Sequence, residues 1–162
     1  MAEGTTVLNM PRLMRKLQAS VAVFEVAAVE ALTAAADEIV ALMKEWVPVR
    51  SGKLRDSIGW TFGDAPKGSV IVMKGRGRRR GKAVVVTIYA GRSVAKSDAF
   101  YARFVEFGTA PHTAGGMFKG AQHPGATAHP FFFPAWRLKK KKLKGRVGRE
   151  MRKSAKQIAA VA

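Results

Sequence analysis

Apolar residues recur every three or four positions along the first quarter of the chain, at Leu13, Leu17, Val21, Phe24, Ala28, Leu32, Ala35, Ile39, Leu42 and Trp46. That spacing lines one face of an α-helix and predicts a long amphipathic helix over 9–46. Asn9 supplies an N-cap, Pro11 stands in the first turn where its missing N–H is no loss, and Pro48 ends the helix. Such a helix runs about 50 Å. This is longer than a small globule needs, so a break near Ala19-Ser20 is expected. The alanine-rich middle, AAVEALTAAA, lets another element approach closely.

The pattern changes after Pro48. VPVRSGKLRDSIG turns at Ser51-Gly52 into a short polar segment. GWTFG (59–63), SVIVMK (69–74) and AVVVTIYA (83–90) are β-branched and aromatic runs bounded by Gly, Pro or Asp. They predict a small antiparallel sheet of three to four strands within 57–91. The second and third runs are joined by GRGRRRG, a self-repelling loop expected to form a mobile hairpin tip at 75–82. FYARFVEF puts Phe100, Phe104 and Phe107 on one helical face with Tyr101 and Val105 beside them. This predicts a short helix within 99–108, ended by Gly108 and laid against the sheet. Residues 109–129 are Gly-rich with two prolines and no periodicity, and read as a flexible loop. PFFFPAW then opens a C-terminal helix over 130–160, with Pro134 in its first turn and Gly145 and Gly148 each weakening its middle by about 1 kcal/mol. The expectation is one α+β domain spanning 1–162: a long N-terminal helix, a small antiparallel sheet, a short helix and a basic C-terminal helix.

Composition narrows the function. The chain has 162 residues, 48% of them hydrophobic, which suits one folded domain, and no cysteine. Without thiols there is no disulfide scaffold, thiolate nucleophile or Cys-ligated metal. No uninterrupted apolar run approaches the roughly 18 residues of a membrane span, and no signal-peptide pattern opens the chain. The formal net charge of +18 points to anionic partners. It is not evenly spread: Lys74–Lys82 and Arg137–Lys156 together hold 17 of the 29 Lys and Arg residues.

Candidate chemistry is sparse. His112, His123 and His129 all lie in the Gly-rich segment, with no acidic residue between them and no helical or zinc-finger spacing, so loop polarity is favoured over a metal site. GRGRRRG lacks the Lys-Ser/Thr and following helix of a phosphate-binding loop. Glu106 sits in an aromatic stripe and Asp56 follows the KLR turn, but no nucleophile or second base accompanies either. A salt bridge from Glu106 to Arg103 or Arg55 is expected instead. Phe131-Phe132-Phe133 with Trp136 reads as a core anchor for the last helix rather than a base-stacking platform. No catalytic, cofactor or metal site is assigned.

Three segments in order, VPVRSGKLRDSI (47–58), YARFVEFGT (101–109) and HPFFFPAW (129–136), resemble the pattern VPVDTGxLRxSI … YAxxxEFGT … PFLxPA of siphophage-type head–tail joining or tail-completion (minor tail, neck) proteins. The matching positions are Val47, Pro48, Ser51, Gly52, Leu54, Ser57 and Ile58; then Tyr101, Glu106, Phe107, Gly108 and Thr109; then Pro130, Phe131, Pro134 and Ala135. They make sense as scaffold: Ser51-Gly52 turns the chain, Leu54 and Ile58 return to the core, and Tyr101, Phe104, Glu106 and Phe107 set a helix against the sheet. Departures are the basic Val49-Arg50-Ser51, the arginine-rich tip and the very basic tail.

The resemblance implies a non-enzymatic virion protein, built in the host cytoplasm and placed in the neck or tail. It would form a homo-oligomeric ring, hexameric by resemblance, between a head connector or stopper protein and a tail tube or tail terminator protein. Arg76, Arg78, Arg79, Arg80 and Lys82 of the tip and Lys139, Lys140, Lys141 and Lys142 of the tail are then candidate contacts to neighbouring proteins or to packaged DNA. Charge alone supports an alternative, a nucleic-acid-binding protein that uses the same residues on phosphates. A membrane-surface role is disfavoured, because Leu138, Leu143, Val147, Met151 and Ile158 give the last helix only a thin apolar stripe.

Overall fold

The computed structural model describes residues 10–74, 84–92 and 99–161. Its elements are α1 (Met10–Trp46), α2 (Lys53–Asp56), β1 (Gly59–Phe62), β2 (Ser69–Lys74), β3 (Val86–Arg92), α3 (Ala102–Phe107), β4 (His112–Thr113), a 3-10 turn (Gly116–Phe118), β5 (Gln122–His123) and α4 (Phe132–Val161). The class is the α+β one expected, with three strands in the main sheet. The Asn9 cap and the basic tip at 75–82 lie outside the described residues.

β3 is central in the order β1-β3-β2 and pairs antiparallel with both neighbours, Trp60 opposite Ile88 and Ile71 opposite Ala90. The C-terminal half of α1 covers the sheet: Ile39 and Met43, with Val47 just past the helix, pack with Leu54, Ile58, Ile71 and Ile88. The Trp60 indole N–H donates to Asp37 across 2.7 Å and fixes β1 against α1. Between them, the VPVRSGKLRDSI segment makes its turn with Gly52 at φ 78°, a left-handed conformation that suits glycine. Ser57 Oγ then donates to the Leu54 carbonyl (2.7 Å) and accepts the Gly91 N–H (3.1 Å), tying the turn to β3.

α1 runs unbroken through Ala19-Ser20, where a break was expected. A second helix accompanies it as far as Ala22. α4 lies antiparallel along α1: Lys142 and Arg146 meet Glu38, and farther out Glu150 and Ser154 line a cleft with Val26 and Glu30. Ser20 also donates its hydroxyl back to the Lys16 carbonyl at 2.8 Å, which keeps its polar group inside the helix.

Glu106 does not make the salt bridge expected of it. It is 2% exposed, and its carboxylate accepts the N–H groups of Phe131 (2.8 Å), Phe132 (2.9 Å) and Phe133 (3.0 Å). The N–H groups at a helix start have no intrahelical acceptor. Here three are bound by one carboxylate, and the fourth position, Pro134, has no N–H at all. The anion also faces the positive end of the α4 dipole. Phe131 and Phe132 are thereby pinned into the core with no exposed surface. Beside them the His129 N–H donates to the Val105 carbonyl at 2.8 Å. Gly108, at φ 71°, passes so close to 126–128 that a Cβ would stand 2.6 Å from the Ala126 carbonyl oxygen.

Two stability predictions follow from these contacts. Glu106→Gln turns an acceptor into a donor facing N–H groups, which costs about 2–4 kcal/mol and lowers Tm by about 5–15 °C in thermal melts. Gly145 and Gly148 have only flexible arginine ends within 4 Å of a built Cβ, so Ala at either raises stability by about 0.5–1 kcal/mol in the same melts.

Candidate functional site

The 3.6-residue period of α4 sorts its cations, which the run KKKK hides. Phe132, Ala135, Trp136, Leu143 and Ser154 turn toward α1 and the core. Of the four consecutive lysines, Lys142 reaches Glu38 at 3.4 Å and Lys139 is half-buried, while Lys140 and Lys141 are exposed. Arg146 is also taken by Glu38, through a close charge-assisted hydrogen bond. The outward face carries Arg137, Lys141, Lys144 and Arg152, flanked by Lys140 and Lys156, all exposed. Arg137, Lys144, Arg152 and Lys156 were not singled out by sequence reasoning, although helical spacing was the signal available. Tip residues Arg76, Arg78, Arg79, Arg80 and Lys82 lie outside the described residues.

The aromatic stripe of α3 faces the opposite way from expectation. Ala102 and Glu106 are buried, whereas Phe100, Phe104 and Phe107 are each at least half exposed. The sheet-facing side of a six-residue helix is filled by small residues and the capping carboxylate, which pushes the phenyl rings outward. Tyr101 is half-buried, and Phe107 touches Phe133 at a ring distance of 5.7 Å.

Residues 109–129, read as an unpatterned loop, carry a short hairpin arm. Thr109 and Ala126 exchange backbone hydrogen bonds at its base (3.0 and 3.1 Å), and His112 pairs with His123 and Thr113 with Gln122 above them. The two imidazoles stack with centroids 4.9 Å apart. His123 Nδ1 accepts the Gly125 N–H, and His112 Nδ1 lies 3.0 Å from the Ala110 carbonyl. Among the described residues no three His, Asp or Glu side chains converge as a metal site. Asp56 is exposed beside Arg55, and both Glu106 oxygens are taken by backbone N–H groups, so these carboxylates form no acid–base pair. Between the arm's base and α3 lies an open cleft of about 770 Å³, walled by Phe104, Phe107, Ala110, His112, His123 and Ala126.

α1 is the third open surface. Met14, Val21, Val23 and Val26 are each more than 40% exposed. Within α1 an 18-residue window has mean hydropathy 1.6 with 18% of it buried, so by length and composition alone this helix is apolar enough to cross a membrane. Soluble core helices meet the same criterion, and its other half is in the core.

A family model described as "Bacteriophage HK97-gp10, putative tail-component" matches residues 12–108, more than half of the chain, from α1 to the glycine that ends α3. No curated protein and no solved structure matches at a significant level. The first motif segment and all of the second but Thr109 lie inside the matched region, and the third is bonded to it through Glu106.

Glu38, which holds α4 on α1, yields a pH prediction. Its carboxyl is held below the usual carboxylate range, first by the hydrogen bond from Arg146, with the charges of Arg146 and Lys142 adding and partial desolvation opposing. A depressed carboxyl stabilises the fold above its ordinary value of 4.5 and loses that contribution as pH falls through the lower folded value. The Tm gap between the native chain and Glu38→Gln is therefore expected to be widest at neutral pH, to close as melts are repeated below about pH 4, and to shrink with added salt.

Proposed function

We propose, for a chain that belongs to the HK97-gp10-like family of phage tail components, a structural role in the virion neck as the ring that joins the tail to the head connector. The observation that carries this reading is the combination of family membership with large apolar surfaces left uncovered in one copy: the outer half of α1, the phenyl stripe of α3 and the arm. Monomeric proteins seldom expose such area unless it binds something. Copies of one chain that use different patches for giving and receiving a contact form a closed ring when the rotation closes.

In this reading the ring is hexameric, as the sequence resemblance implies, and sits between a head connector or stopper protein and a tail tube or tail terminator protein. Its function is mechanical, without catalysis or cofactor. The chain is made in the host cytoplasm and ends in the particle. In this reading the outer half of α1 is covered by protein rather than lipid, because Glu25 and Glu30 interrupt its apolar run.

One observation favours a second reading, contact with DNA. The outward stripe from Arg137 to Lys156 spans about 30 Å of helix and presents cations that no carboxylate among the described residues is shown to neutralise. In the neck, such a stripe would lie near packaged DNA, so both readings hold together if it faces the channel.

The test is a particle preparation from which this chain is deleted, viewed by electron microscopy. Separate filled heads and free tails are expected; joined tails in its absence defeat the reading. Titration of the purified chain against random duplex DNA at two salt concentrations decides the second one. Phosphate contact gives a log–log salt slope of about −0.9 per contact, whereas docking only on acidic proteins leaves weak binding and little slope.

A further inference from the structure

The apex of the arm is built to hold two apolar side chains in water. Gly116 and Gly120, at φ 61° and 92°, take left-handed turns on either side of Met117 and Phe118. Nothing lies within 4 Å of a Cβ built at either glycine, so conformation and not crowding selects glycine there. Met117 is 94% exposed and Phe118 71%. The ladder below the apex, with the Thr109–Ala126 bonds at its base, holds these side chains away from the chain's own core.

The same chain carries a matching receptor. The cleft beside α3 is walled by Phe104, Phe107, Ala110 and Ala126 and the stacked His112 and His123, and Arg103 is the one formally charged residue in its lining. Its volume of about 770 Å³ lies within the range of sites that enclose small ligands, ample for two side chains. Charge argues for who fills it. A chain of net charge +18 repels its copies over most approaches, but from Gly108 to Phe131 Lys119 is the single charged residue. The α3–arm region is thus a low-charge surface on which two copies can close.

We propose that Met117 and Phe118 of one copy insert into the cleft beside α3 of the next copy. The contact is heterologous, since apex and cleft are different surfaces. Each copy gives one contact and receives one, which is how a single chain closes into a ring. This rests on the ring reading above and names the joint that would make it.

The absence of cysteine makes the test direct. Met117→Cys and Phe104→Cys are made in separate chains, mixed and oxidised, while sedimentation follows the mass of the native chain, Phe118→Asp and Phe104→Asp. The expected result is a mixed disulfide joining apex to cleft in excess of either like-with-like pair. Self-association should weaken by at least about thirtyfold in both Asp variants. The melting curve of Phe118→Asp should match the native one, because its side chain is already in solvent. Association that persists in both Asp variants without the mixed disulfide overturns the apex-to-cleft joint and leaves the ring reading standing. A native chain that stays monomeric at every concentration also overturns the joint, while the ring reading is still decided separately by the joined or separated tails of the deletion particle. Binding of a different protein in the cleft, shown by loss of that binding in Phe104→Asp but not in Phe118→Asp, overturns it as well.

Discussion

The carboxylate of Glu106 accepts the N–H groups of Phe131, Phe132 and Phe133 in a place that is almost wholly buried, and α4 can begin against the core because of it. A helix start buried without partners would strand several donors, each costing on the order of 1–3 kcal/mol. One side chain from α3 removes that cost and supplies a negative charge to the positive end of the α4 dipole. Three consequences depend on it. Phe131 and Phe132 reach the core, α4 leaves in the direction that lays it along α1, and both ends of the 109–129 segment are held near α3 so that the arm projects from a fixed base. The family match ends at Gly108, two residues after this glutamate, so the matched part of the chain contains the group that orders the part beyond it.

The second organising contact is weaker and works by subtraction. Glu38 draws Lys142 and Arg146 to the inner side of α4, and the remaining cations of that helix are left facing outward. Exposed ion pairs contribute little to stability, so its main effect is on register. Phe132 and Ala135 already seat the start of α4 in the core beside Ile39 and Met43, and beyond them the two helices meet through small and half-buried residues. A charge pair at a defined height reinforces that alignment.

Much of this architecture was legible in the sequence, for reasons that can be named. α1 and α4 are long enough for the 3.6 period to be unmistakable, and the three strands have β-branched runs with sharp ends. The core role of Phe131-Phe132-Phe133 with Trp136 followed from an aromatic run with no Lys or Arg interleaved, and Phe131 and Phe132 are its fully buried members. What was missed depends on long-range pairing. Glu106 was read against nearby cations, because nothing local announces a helix beginning 25 residues later. Phe104 and Phe107 share a helical face, and periodicity gives the face without its direction; Ala102 and Glu106 opposite them were the inward set. The arm has ladders of two residues, too short for alternation to register. α1 continues past Ala19 with the Ser20 hydroxyl turned back onto the Lys16 carbonyl, a bond that keeps a polar residue within the helix and that spacing alone does not announce.

Between α4 and the α3–arm region charge and apolar surface are kept apart, and in the proposed ring that separation would link assembly to anions. The outward cations of α4 lie on one helix, and the exposed Phe104, Phe107, Met117 and Phe118 lie in a segment with hardly any charge. Bringing copies together through the second surface concentrates the charge of the first, and at physiological salt repulsion reaches about 8 Å, enough to act between neighbouring subunits. In the proposed ring, whatever neutralises the outward cations, whether phosphates of DNA or carboxylates of a neighbouring protein, would therefore favour association of the copies. By reciprocity, the associated copies would bind that anionic surface more tightly than one copy does. A joining ring built this way would be held back while its subunits are dispersed and favoured where an anionic template waits, and that is the condition under which a neck component has something to join.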